Sequence, residues 1–187
     1  MTTRPERVDT ARLILRRPRA ADVDDIFYTY ASDPEVTRYL GWPVHVSVEQ
    51  TRAFVSYSDD QWRRWPAGPY LVCARDGRLL GGSGLAFESA DRAVTGYVFA
   101  REAWGYGYAT ETLRAIVDVA AQLDVRTLYA LCHVDHRPSG RVLEKCGFVS
   151  EGIVREYAEF PNLRPGHRSD VLKYARPLAP RATSDRK

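Results

Sequence analysis

The chain has 187 residues, enough for one domain with a sizeable core. Its 44% hydrophobic and 27% charged residues fit an ordinary globule, and it has no uncharged apolar run of about 18 residues to span a membrane. The net charge of +3 suits a small anionic ligand but not nucleic acid, which needs a concentrated basic patch. The N-terminal stretch MTTRPERVDTARL lacks the apolar core of a secretory signal. Cys73, Cys132 and Cys146 are far apart and odd in number, which predicts buried thiols in a reducing cytoplasm.

In chain order, RLILRR (Arg12–Arg17) predicts a strand stopped by Pro18. DVDDIFYTYAS predicts a helix capped by Asp22, with Ile26, Phe27 and Tyr30 on one face. SVEQ (Ser47–Gln50) is a capping-box pattern. The helix behind it aligns Thr51, Phe54, Val55, Trp62 and Trp65, and ends at Pro66 and Gly68. YLVCA and LLGGSGLAF, on either side of Asp76 and Gly77, predict a hairpin whose glycines mark a bulge or a close backbone approach. AVTGYVFA is a third strand, with Thr95, Tyr97 and Phe99 on one face.

YATETLRAIVDVAAQL is the clearest helix, setting Leu113, Ile116, Val117 and Ala120 against Glu111, Arg114, Asp118 and Gln122. RTLYALCHV is a strand. RPSGRVLEKCGF is a short helix, with Pro138 in its first turn and Gly147 at its end. EGIVREYAEF and RSDVLKYAR are a last strand pair joined through PNLRPG. Residues 1–8 and the Pro- and Arg-rich tail from Pro177 are expected to be flexible, which leaves one mixed α/β domain over residues 9–176.

The stretch Gly105-Tyr106-Gly107-Tyr108-Ala109 lies between a strand and the strongest helix. Glycines permit positive φ and close approach, and the first turn of a helix presents free N–H groups at its positive end. Together they suit a phosphate or pyrophosphate; the alternative is a tight turn with no ligand. A Walker A loop is excluded, because the chain has no Gly-Lys pair. A dinucleotide fingerprint fails at Thr110, where its last glycine belongs, and Asp135 comes too late to serve as its acid. GGSGL (Gly81–Leu85) fails as a nucleophile elbow at Leu85.

WGYGYATE, followed by a helix, a strand and HRPSGRVLEKCGF, resembles the GNAT superfamily of acetyl-CoA-dependent N-acetyltransferases. Trp104, Gly107 and Ala109 stand at the defined positions of that family's pyrophosphate loop, with Trp104 in place of the usual Arg or Gln. That exchange, with TARLILRRPRAADVDDIF and RVLEKCGFVSEGIVRE, is similar to the branch containing the ribosomal-protein-alanine N-acetyltransferases. The resemblance implies an α+β fold: a mainly antiparallel sheet of about seven strands, helices on both faces and a splayed cofactor wedge. It implies acetyl-CoA as co-substrate, its pyrophosphate held by Trp104, Gly105, Tyr106, Gly107, Tyr108, Ala109 and Thr110. Main-chain groups of Tyr97, Val98 and Phe99 would pair with the pantetheine arm, between that strand and Leu128–His133. His136 stands where most relatives place an asparagine that contacts the coenzyme.

The reaction so implied is direct attack of an amine on the thioester. Many relatives use a tyrosine beside the coenzyme sulfur, but Leu143 holds that position here; Ser139 matches the branch's serine and is the expected donor to the leaving thiolate. The glutamate that many relatives carry before the loop is Val94 here. Glu159, or Glu156, on the late hairpin is the alternative base, unless both are solvated surface charges. Arg137, Arg141 and Lys145 recur at four-residue spacing, to meet the coenzyme's 3′-phosphate or to form a solvated face. His133, Asp135 and His136 do not make a metal site, since a strand sends His136 away from the other two. Cys132 alternates with buried residues and is not a nucleophile. The acceptor is a protein N-terminus or a small-molecule amine, with YLGWPVH (Tyr39–His45) lining its pocket and no nucleic-acid or membrane partner. The enzyme acts as a monomer or homodimer; the competing possibility is a catalytically silent acyl-CoA-binding module.

Overall fold

The alternating apolar positions of the strands come together in one eight-stranded sheet in the computed structural model, which describes residues 4–179. In chain order the strands are β1 (Arg7–Asp9), β2 (Leu13–Arg16), β3 (Pro69–Ala74), β4 (Leu79–Ser89), β5 (Arg92–Phe99), β6 (Thr127–His133), β7 (Val149–Glu159) and β8 (Arg168–Pro177). Their order across the sheet is β1-β2-β3-β4-β5-β6-β8-β7, and every neighbouring pair is antiparallel except β5 with β6. The sheet has one strand more than expected, because β1 pairs Arg7, Val8 and Asp9 with β2. Ordered structure therefore starts ahead of the expected boundary at Asp9, and β8 closes on Pro177. The rest of the expected flexible ends, residues 1–3 and 180–187, lies outside the described residues.

Helices cover both faces, as expected. The Asp22 segment forms α1 (Val23–Ile26) and runs on into a π turn over Phe27–Ala31. Then come α2 (Pro34–Thr37) and α3 (Val48–Arg64). Val23, Ile26, Tyr30 and Val55 pack on Leu71 and Cys73. Helices α4 (Tyr108–Gln122) and α5 (Arg137–Lys145) cover the opposite face, where Leu113, Ile116 and Leu143 join Leu13, Leu15 and Val72. The period-two alternation of β3 thus feeds two cores, one on each side.

Two expected caps resolve differently. Asp22 does not cap α1 through its side chain: its carboxylate takes the Arg16 guanidinium through two bonds of 2.6 and 2.8 Å and the Arg19 N–H at 2.7 Å. A paired guanidinium is a stronger partner than a lone helix N–H. Ser47 stands at the N-cap of α3 without a capping bond, and Gln50 reaches back to the Val46 N–H at 2.7 Å.

The hairpin of β3 and β4 forms as expected, with a register shift at Val72/Cys73. Its glycines serve close approach: a Cβ on Gly81 would collide with the Val98 carbonyl oxygen and lie 2.9 Å from the Phe99 Cα. Gly81 therefore lets β5 lean onto β4. Gly81→Val should lower unfolding stability by about 1–3 kcal/mol in urea denaturation, the usual range for overpacking.

Candidate active site

Strand β5 pairs with β6 only from Arg92↔Thr127 to Val94↔Tyr129. Beyond Val94 the two strands part. β5 continues to Phe99 against β4, and β6 continues to His133 against β8. Tyr97, Val98 and Phe99 thus face a wedge, and the facing backbone edges of β5 and β6 are left without a strand neighbour. An extended ligand with amide groups fits such an edge as an added strand would. The Phe99 carbonyl already accepts the Trp104 indole N–H at 2.7 Å, so one of the expected main-chain contacts is engaged within the protein. This bond also defines what Trp104 does in place of Arg or Gln: it ties the loop to the end of β5.

At the mouth of the wedge the glycine loop turns into α4. Gly105 and Gly107 have φ of +82° and +77°, which a side chain would strain. The first helical bond is Glu111 N–H to the Gly107 carbonyl at 3.1 Å, and the N–H groups of residues 105–110 reach no acceptor among the described residues. The macrodipole of the 15-residue α4 adds partial positive charge there. The loop residues expected to grip a pyrophosphate therefore form a row of free donors. Arg12 fastens the loop from outside, donating to the Tyr106 carbonyl at 3.0 Å and to Glu111 at 2.7 Å, with its guanidinium 4.8 Å from the Tyr108 ring centre. Burial works against the Glu111 carboxylate, but hydrogen bonds from Thr10 and Arg12 outweigh it and hold its pKa below the usual carboxylate range. Arg137, Arg141 and Lys145 are exposed on α5.

The first turn of α5 closes the other side. Ser139 Oγ lies 3.0 Å from the Tyr97 hydroxyl, which also donates to the Ser139 carbonyl at 3.2 Å. This contact bridges the wedge from β5 to α5. Burial pushes the Tyr97 phenol up, partly offset by Ser139, so it stays protonated. His136 stacks on Tyr39 with ring centres 4.6 Å apart, and burial together with His133 holds its imidazole below the ordinary value. Burial pushes the Cys132 thiol up to about 11, so it is no nucleophile near neutrality. Among the described residues no cluster of three His, Cys, Asp or Glu side chains can hold a metal ion.

On the opposite face, a cavity of about 450 Å³ opens onto Gly96, Tyr97 and Val98. Tyr30, Trp42, His45, Phe54 and Tyr57 wall it, so the segment Tyr39–His45 contributes Leu40, Trp42 and His45 to its lining. His45 Nδ1 lies 2.8 Å from Thr51 Oγ1, and burial lowers its pKa. Glu159 is not in the cavity; its carboxylate accepts the Gly166 N–H at 2.8 Å within its own hairpin loop. Glu156 is exposed, with φ of +46°. Leu143 is core, and Val94 makes the last β5–β6 pair.

Sequence reasoning passed over Asn162, which read as a turn residue in PNLRPG. Its amide donates to the Thr37 and Trp42 carbonyls at 2.8 Å each and accepts the Val44 N–H at 2.7 Å. One side chain thus pins the cavity-lining loop to the β7–β8 hairpin. Its partners lie more than a hundred residues away, and no local pattern marks them.

Wedge, free-donor loop and capped cavity define an acyl-CoA-dependent transferase by architecture. Residues 12–149 match the acetyltransferase (GNAT) domain family, and the chain belongs to that family. It is 31% identical over 160 residues to the uncharacterized N-acetyltransferase YoaA of Bacillus subtilis, covering 80% of this chain and 86% of that one. Its fold is similar to the Salmonella typhimurium acetyltransferase that modifies the N-terminal serine of ribosomal protein L7/L12, with a TM-score of 0.80, 23% identity and coverage of 91% and 97%. It is also similar to the Vibrio cholerae spermidine N-acetyltransferase solved with CoA and spermine, with a TM-score of 0.77, 19% identity and coverage of 90% and 97%. The protein is thus an acetyltransferase of this family, drawing on acetyl-CoA. No helix among the described residues is long and apolar enough to cross a membrane.

Glu111→Gln should lower stability at neutral pH by about 1 kcal/mol in urea denaturation. The folded-state pKa of Glu111 lies below its unfolded value, so its contribution is present above about pH 4.3 and fades as pH falls through the folded pKa. The gap between wild type and variant should therefore narrow on acidification. Asn162→Ala should raise the KM for the acceptor amine several-fold in steady-state assays and leave the KM for acetyl-CoA within about twofold.

Proposed function

We propose that the protein acetylates an amine seated in the cavity above Gly96, with acetyl-CoA held along the β5–β6 wedge. The observation that carries this is the junction at Tyr97 and Val98, which border both the wedge and the cavity. A thioester at the inner end of the wedge meets an amine arriving from the other face.

The pyrophosphate would sit on the N–H groups of residues 105–110, with Trp104 keeping that loop against β5. Tyr97 and Val98 would offer main-chain partners to the pantetheine amides, and His136 would donate to the coenzyme from the edge of α5. The amine lone pair attacks the thioester carbonyl carbon, the carbon–sulfur bond breaks, and the leaving sulfur takes a proton or hydrogen bond from Ser139. A serine alone is a poor acid. The protonated Tyr97 phenol at 3.0 Å supports a relay in which Tyr97 replaces what Ser139 gives.

The attacking nitrogen must lose its proton. For an α-amino group near pKa 7.7–8.0 this costs at most about 1 kcal/mol at neutral pH, against about 4–5 kcal/mol for a lysine-like amine. Glu159 would have to release Gly166 before acting as the base. His45 already lines the cavity with an imidazole that burial favours in its neutral form. A proton acceptor at His45 is thus better supported than one at Glu159. All three cysteines are free and buried, which fits a reducing cytoplasm as the place of reaction. The site is drawn from a single chain, so either a monomer or a homodimer would serve.

Calorimetric titration with acetyl-CoA and a thiol-release assay over an amine panel test this directly. Binding and amine-dependent thiol release are expected; their absence would sink the proposal. Ser139→Ala should lower kcat about 10- to 100-fold with acetyl-CoA binding retained. Unchanged turnover would remove Ser139 from the chemistry.

A further inference from the structure

We propose that the acceptor is a small, ring-bearing amine with no charge other than its reacting nitrogen, and that the Tyr30 hydroxyl hydrogen-bonds a polar group on it. This rests on the reading of the cavity above Gly96 as the acceptor site.

Three observations lead there. First, rings make up much of the wall: Tyr30, Trp42, His45, Phe54 and Tyr57 line a space of about 450 Å³, with aliphatic residues such as Ile26 and Leu40 between them. That is toward the small end of ligand pockets, which run from about 300 to 1,000 Å³. Such walls favour a flat, apolar guest, since paired rings gain more than their buried area alone provides.

Second, among the described residues no Asp, Glu, Lys or Arg lines the cavity. A polyamine would have to leave extra ammonium groups out of water with no carboxylate beside them, which is unfavourable. A single reacting ammonium escapes this, because it gives up its proton on the way to attack and His45 lines the same wall. Ring walls also suit a quaternary ammonium, but that nitrogen has no lone pair to acetylate.

Third, the Tyr30 ring is buried, but its hydroxyl has no hydrogen-bond partner among the described residues and Tyr30 lines the cavity. It hangs over Gly82, where a Cβ would lie 3.3 Å from its oxygen. Burial pushes this phenol up, so it remains a donor. A hydroxyl that makes no bond within the protein and opens onto a cavity is free to donate to a guest there.

Gly96 offers a clean block. A Cβ at Gly96 would meet no atom within 4 Å, and Gly96 borders the cavity. Gly96→Leu can therefore project into the open space at the edge of the cavity without displacing backbone.

The test is steady-state acetyl transfer, followed by thiol release, with tyramine, phenethylamine, spermidine and a peptide bearing a free N-terminal alanine. Acetyl-CoA binding is measured alongside by calorimetry. Tyramine should exceed spermidine and the peptide in kcat/KM by about 100-fold or more. Tyr30→Phe should reduce kcat/KM for tyramine about fivefold and leave phenethylamine within about twofold. Gly96→Leu should raise the amine KM at least about tenfold, with acetyl-CoA affinity within about twofold of wild type. Preference for spermidine or the peptide would overturn the inference while leaving the acetyltransferase reading intact. So would Gly96→Leu weakening acetyl-CoA while the amine KM holds, since the cavity would then belong to the pantetheine arm. Absence of acetyl-CoA binding to the wild type would contradict the underlying reading of the wedge, and the inference with it.

Discussion

The parting of β5 from β6 after Val94 is the constraint on which the rest depends. A parallel pair that stayed zipped would bury its own backbone groups and leave no edge for a ligand. Here each strand keeps its outer partner, β4 or β8, and gives up the inner one. The strand pairing lost between them is a standing deficit, which a bound amide chain can fill. Gly81 makes the geometry possible, because only a residue without a Cβ allows β4 and β5 to close up on the far side of the opening.

A split sheet also needs its ends held. Trp104 donates to Phe99 and keeps the glycine loop at the mouth of the wedge. Arg12 and Glu111 tie the same loop and helix to the turn between β1 and β2, and Tyr97 with Ser139 spans the gap. On the cavity side Asn162 performs the equivalent task for the Thr37–Val44 segment. Apart from the local Trp104–Phe99 bond, each clamp joins segments far apart in sequence, so the donor row at residues 105–110 and the ring-lined cavity are oriented before a ligand arrives. Preorganisation of this kind reduces the ordering cost of binding.

The strands and long helices were legible because their apolar periods are local, and the glycine loop because Gly105 and Gly107 flank a strong helix start. The split between β5 and β6 was legible only through resemblance, since AVTGYVFA shows the alternation of a strand but not where its pairing ends. The caps at Asp22 and Ser47 misled for a physical reason: a short polar side chain takes the strongest partner in three dimensions, and for Asp22 that is Arg16. Tyr97 was read for its backbone, yet its hydroxyl reaches Ser139 across the wedge. Asn162 left no local trace, because a turn asparagine and a loop-pinning asparagine look alike in sequence. The late hairpin was placed correctly, but Glu159 turns into its own loop rather than toward the cavity.

The central claim is that the free donors of the Gly105–Thr110 turn hold acetyl-CoA at the mouth of the split sheet. Calorimetric titration of acetyl-CoA into wild type and Gly107→Val tests it most directly, because Gly107 sits at φ of +77°, where a branched side chain distorts the donor row. The account predicts one acetyl-CoA bound per wild-type chain and at least tenfold weaker binding by a folded Gly107→Val, roughly the loss of one charge-assisted hydrogen bond. Equal affinity in the two proteins, or none in the wild type, would contradict it.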